Sequence, residues 1–194
     1  MKITLVGPGI MPIPPTGWGA VEILVWDTKN ALEDLGHEVQ ILNTKDYRHI
    51  INGINSFVPD FVHVHYDEFI DIIPYIQYPN AITSHFGYLE RPKMFGGYIN
   101  VANQFRDVQP NVFCLSSGIE KVYNLMFDVP KENTYVTPNG VNTNNFEFES
   151  EAKYPDRSIY LAKIDYRKRQ HLFQNIDSLW YAGNLADNNF DRNK

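Results

Sequence analysis

The sequence predicts an α/β fold built on a parallel sheet, and three observations carry that reading. Short β-branched runs alternate with longer stretches of helical period, the pattern of successive strand–helix–strand units. The runs ITLVG, FVHVH and NVFCL are nearly continuous in hydrophobic residues, as strands covered on both faces require. Apolar residues make up 43% of the 194 positions and charged ones 21%, which is the balance of a packed globular chain and not of a disordered one.

Taken in order, strands are expected at about residues 2–6, 38–42, 61–65, 81–84, 112–115 and 134–137. Between the first two, Val21, Leu24, Val25, Thr28, Ala31, Leu32 and Leu35 recur at helical spacing, predicting a helix over Ala20 to Leu35 with one buried face. Gly36 stops it, because glycine accepts the left-handed conformation that closes a helix. A later helix is expected over Gly118 to Met126, where Ile119, Val122, Tyr123 and Met126 share a face. Residues 87–110 hold Gly96-Gly97, two prolines and several aromatics, and read as a loop with a short helix.

The texture changes near residue 138. Residues 138–157 are polar, turn-rich and poor in aliphatics, as a linker after a first domain of residues 1–137 should be. Beyond it, residues 158–194 read as a strand (SIYLAKI), a basic helix start (RKRQHLFQNI) and a further strand (SLWYAG). So short a stretch does not close a doubly wound domain. Either the strand pair docks on the first domain, or the rest of a second domain is missing.

Composition also excludes. The net charge is −6, and lysines and arginines cluster only at 167–169, which speaks against nucleic acid as a partner. A single cysteine, Cys114 in an apolar run, rules out an intrachain disulfide framework and a cysteine-based zinc site. The apolar run after Met1 is too short for a signal-peptide core or a membrane span, so a cytoplasmic protein is expected, free or loosely attached to a membrane surface.

Three segments could carry chemistry. PIPPTGWGAVE, at 12–22, follows the first strand, and Gly17 and Gly19 would let the backbone approach a ligand closely, next to helix N–H groups that favour a phosphate. Its spacing is not that of a dinucleotide-binding fingerprint, and a plain tightly packed βα loop is the competing reading. His85 follows the fourth strand, at the sheet's carboxyl end, where open α/β folds bind ligands. His63 and His65 alternate along the third strand and point to one face, with no third ligand at a metal-binding spacing. Lys163 ends a strand and Lys168 begins the basic helix, so both could face one anion. Otherwise they belong to a solvated helix end, where lysine opposes the dipole.

In this order, PPTGWGAVE, GHEV, PDFVHVH, AITSHFG, LSSGIEKVY, TPNGVNTNNF and IYLAKIDYRKRQHL resemble the retaining glycosyltransferases of family 4, with their two-domain GT-B fold. The resemblance implies a Rossmann-like acceptor-side domain followed by the start of a donor-side domain, the remainder of which would lie beyond Lys194. It also implies a nucleotide-sugar donor, a saccharide or lipid acceptor, no cofactor, and no metal, cations taking a metal's place. A second copy or a separate donor-domain subunit is the implied protein partner. By resemblance Gly17, Trp18 and Gly19 form the loop beside the donor diphosphate and the acceptor, with Glu22 as the acid that follows it. His85 is the histidine near the transferred sugar, and Lys163 and Lys168 hold the donor phosphates. Lys163 stands where the family usually has Arg, and Asn142 where it has Asp. The aromatics Tyr88, Phe95, Tyr98 and Phe105 either line the acceptor site or pack as a lid. The alternative to a transferase is a non-catalytic glycan-binding or subunit-interaction domain of the same Rossmann-like fold.

Overall fold

A computed structural model describes residues 1–17, 19–85, 98–146, 148–186, 188 and 190. The chain divides into two compact units, Met1–Asn142 and Thr143–Lys194, the boundary falling inside the segment predicted as a linker.

The first unit is α/β with a six-stranded, all-parallel sheet in the order β2-β1-β3-β4-β5-β6. Its strands are β1 (Lys2–Val6), β2 (Glu38–Leu42), β3 (Phe61–Val64), β4 (Asn80–Ile82), β5 (Val112–Cys114) and β6 (Thr134–Val136). The helices are α1 (Ala20–Asp34), α2 (Tyr47–Phe57), α3 (Tyr98–Val108) and α4 (Ser117–Met126), with a 3-10 segment over Asp67–Tyr75. This is a Rossmann-like arrangement.

Right-handed crossovers decide which face each helix takes. The step from β1 to β2 runs opposite to the steps from β2 to β6, so α1 lies on one face and the other helices on the opposite one. Two hydrophobic clusters record the division. The larger joins Val62, Val64, Ile82 and Val112 to Ile50 and Ile54 of α2, Ala102 and Phe105 of α3, and Tyr123 of α4. The smaller joins Ile3 and Leu5 to Val25 of α1.

Local chemistry explains the helix ends. At the C-terminus of α1, Gly36 N donates to Glu33 O and His37 N to Leu32 O, at 2.9 and 3.0 Å, which completes a Schellman motif. Asp46 caps α2 by accepting from the backbone N of Arg48 and His49, and Ser116 caps α4 by accepting from Ile119 N.

Two elements differ from expectation. Helix α2 was not foreseen, although Asp46 and the apolar Ile50, Ile51, Ile54 series announce it. Helix α3, at Tyr98–Val108, is the short helix expected within residues 87–110, and Ala102 and Phe105 pack one face of it into the larger core. The buried stripe foreseen for α1 is only partly covered: Val25 is fully buried whereas Leu35 is 74% exposed.

In the second unit β7 (Ser158–Leu161) and β8 (Leu179–Ala182) pair in parallel in a sheet of their own. The basic helix expected between them is replaced by two 3-10 turns, Tyr166–Lys168 and Gln170–Phe173. Arg169 stands between the turns at φ 60°, ψ 18°, a left-handed conformation that interrupts helical continuation. Among the described residues no helix is long and apolar enough to cross a membrane.

Candidate functional site

The order β2-β1-β3 places a switch point between the carboxyl ends of β1 and β3, because the chain leaves these strands in opposite directions. The loop after β1 and the residues after β3 and β4 therefore border one crevice. Backbone pairing carries the register across it: His65 N donates to Val6 O at 2.9 Å and Thr83 N to Val64 O at 2.8 Å. His85 lies two residues beyond Thr83, on the same face.

The β1–α1 loop is fastened from β2. The side chain of Asn43 accepts from Gly9 N and donates to Met11 O, both at 2.8 Å. Gly9 has φ +64°, and a Cβ there would lie 2.6 Å from the Thr44 carbonyl carbon, so this position needs glycine. Gly19 is the N-cap of α1 at φ +143°, and a Cβ there would lie 2.9 Å from Glu22 Oε2. Glu22 is only 5% exposed. The positive end of α1 is thus already met by a carboxylate of this chain, which competes with the phosphate expected there. An added Cβ at Gly17 would meet nothing within 4 Å, so close packing against this residue is not what selects glycine. Trp18 lies outside the described residues, as does the first part of the aromatic stretch 87–110, residues 87–97 with Tyr88 and Phe95, while Phe105 is buried in the core beside Tyr123.

On the α1 face, His63, His65, Thr83 and His85 form one connected group. His63 Nε2 lies 2.7 Å from Thr83 Oγ1, and His65 Nδ1 lies 3.2 Å from His85 Nε2. The His63 and His65 rings are 3.8 Å apart, and those of His65 and His85 are nearly parallel at 5.5 Å. Phe61, Phe113 and Tyr135 continue this band of rings across β3, β5 and β6. Burial makes the charged imidazolium costly and lowers all three histidines: His63 to about 3, His85 to about 4 and His65 well below its ordinary value. At neutral pH these imidazoles are uncharged, each able to donate from one nitrogen and accept at the other. Among the described residues no group of three or more His, Cys, Asp or Glu side chains could hold a metal ion.

A cavity of 290 Å³ lies along this face, between Leu24, Thr28 and Leu32 of α1, the histidine group, Phe113 and Leu115 of β5 and its following residue, and Thr137–Gly140 after β6. The α1 stripe that sequence periodicity assigns to the core is, in these three residues, a cavity wall.

Behind His85 a second polar group is buried among the helices of the opposite face. Ser84 donates to Asp67 Oδ2, and Asp67 is fully buried. Burial raises its carboxyl to about 6, partly offset by the Ser84 hydrogen bond. Tyr123 of α4 is fully buried, and its hydroxyl is raised by burial and by nearby Asp67. Sequence reasoning missed this group and Thr83. The alternation Ala81, Thr83, His85 along one face was the signal available for Thr83.

Lys163 and Lys168 belong to the second unit, and both are exposed. Asp165 accepts from Lys168 N and from Arg167 at 2.9 Å, while Gln170 Nε2 donates to Lys163 O at 3.0 Å. The Arg167 pair and the backbone hydrogen bonds hold the Asp165 carboxyl below its usual range against the opposing effect of desolvation. With no helix beginning at Lys168, the dipole penalty expected there does not arise. Cys114 is buried, and burial raises its thiol to about 11, as for an inert core cysteine.

No protein-family model matches this chain, and no curated protein matches it.

Proposed function

We propose that the first unit is the acceptor-side half of a retaining, nucleotide-sugar-dependent glycosyltransferase that moves a hexose to a glycan, lipid or small acceptor. One observation carries this reading. His85, an uncharged imidazole held by His65, sits at the carboxyl edge of a parallel sheet, beside the switch point that the Gly17–Gly19 loop also borders. A neutral imidazole there serves as a hydrogen-bond partner for a sugar hydroxyl at the reacting centre. In this proposal the loop lies beside acceptor and donor. Lys163 and Lys168, exposed cations of the second unit, are the residues proposed to hold the donor phosphates.

The test is turnover of a panel of UDP-, GDP- and ADP-sugars by the whole chain, alone and with any partner chain that copurifies with it. Transfer or hydrolysis that is lost in His85→Ala supports the proposal. Turnover of none of them rejects it.

A second reading, a non-catalytic binding or subunit-interaction domain, is favoured by the band of rings on the α1 face, where Tyr135 remains 49% exposed. Saturable saccharide binding without turnover would select it.

A further inference from the structure

We propose that the cavity between α1 and the histidine group is a binding site for a neutral, largely apolar molecule of about two fused rings that carries one hydroxyl.

Size comes first. The cavity, about half open to solvent, has a volume of about 290 Å³, near the lower end of small-molecule pockets, and room for about two fused rings. Wall chemistry comes second. Leu5, Leu24, Leu32, Phe113 and Leu115 supply apolar surface, and no Lys, Arg, Asp or Glu is among the described lining residues. A charged ligand would lose its hydration there without gaining a counter-charge. Polar placement comes third. His63, His65 and His85 all line one side, joined through Thr83 and through each other, while Thr137 and Asn139 stand at the carboxyl rim. Such a ligand has its rings between α1 and β5 and its hydroxyl toward His85. His85 is uncharged at neutral pH and keeps part of its surface exposed, so it can meet a neutral hydroxyl.

The cavity itself carries this inference. Its extension, that the bound hydroxyl is the acceptor in sugar transfer, rests on the transferase proposal above. A binding readout separates the two.

The probe is 2-naphthol, titrated calorimetrically into the whole chain at pH 7.5, with 2-naphthoate as the charged control. Saturable one-to-one binding is expected, with 2-naphthoate at least about tenfold weaker. Thr28→Trp and Leu115→Trp fill the cavity from opposite sides. Each variant that keeps its thermal transition should lose at least about tenfold in affinity. Should neither variant fold, methyl NMR of the unaltered chain replaces them, and shifts are expected at Leu24 and Leu115. Absence of saturable binding overturns the site, as do unchanged affinity in a folded cavity-filling variant and methyl shifts confined to other residues. Equal affinity for 2-naphthoate overturns the neutral ligand class. A chain that binds 2-naphthol but turns over no nucleotide-sugar retains this site and loses only the transferase proposal.

Discussion

The two faces of the six-stranded sheet are built to opposite ends. On one face Val62, Val64, Ile82 and Val112 are fully buried beneath α2, α3, α4 and the 3-10 segment. On the other, the same strands present Phe61, His63, His65, Thr83, His85 and Phe113, and among the described residues α1 is the one helix that packs there, over β1 and β2. Close packing on the first face stabilises the unit. The second face tolerates buried imidazoles and a cavity, which cost stability and supply hydrogen-bonding groups. The difference teaches that close packing and buried hydrogen-bonding groups are divided between faces, with the strands as a shared wall.

Substitutions should report that division in order of size. Phe105→Ala, fully buried against Tyr123, should cost about 3–5 kcal/mol in denaturant unfolding and leave 2-naphthol affinity within about twofold once folded. A loss below about 1 kcal/mol would mean that the helical face is not the main core.

Acid should act mainly through the histidine face. An imidazole with a lowered folded pKa contributes stability above its unfolded pKa of about 6.5, and loses it as the pH falls toward the folded values of about 3 and about 4. Asp67, raised to about 6, acts in the opposite sense: its contribution is full below its ordinary pKa and is lost as the pH rises through about 6. With three lowered histidines against one raised carboxyl, unfolding free energy should fall between pH 6.5 and 4.5. His63→Phe should flatten that slope by up to about 1.4 kcal/mol per pH unit, and Asp67→Asn should steepen it by up to the same amount. Urea titrations across this range test both, and unchanged slopes would contradict the assignment of neutral buried imidazoles.

Smaller still, Gly19→Ala should cost roughly 1–3 kcal/mol, since φ +143° disfavours any Cβ and the Glu22 carboxylate must move. Leu35→Ala lies at the end of α1, 74% exposed, and should change stability by less than about 0.5 kcal/mol. The sequence pattern would have placed it in the core.

Much of the sheet was legible because parallel strands buried on both faces leave near-continuous apolar runs, and all six were placed within about two residues of their observed bounds. What periodicity could not show was how completely each helix is covered. Leu24, Thr28, Leu32 and Leu35 satisfy the same spacing as Val25, yet a stripe gives no sign that the strip of sheet beside it has no helix over it among the described residues. The basic helix failed for a local reason, since Arg169 takes a left-handed conformation that composition does not announce. His85 was legible from its place after a strand. Its coupling to His65, and the Ser84–Asp67 pair behind it, depend on strand register, which is fixed only when β1, β3 and β4 align.

The most direct test of the proposed sugar transfer is the turnover of the nucleotide-sugar donor found active, compared between the unaltered chain and His85→Ala, with the thermal transition as the folding control. The account predicts a fall of at least about 100-fold in turnover with the transition retained. Turnover unchanged in a folded His85→Ala chain would contradict it.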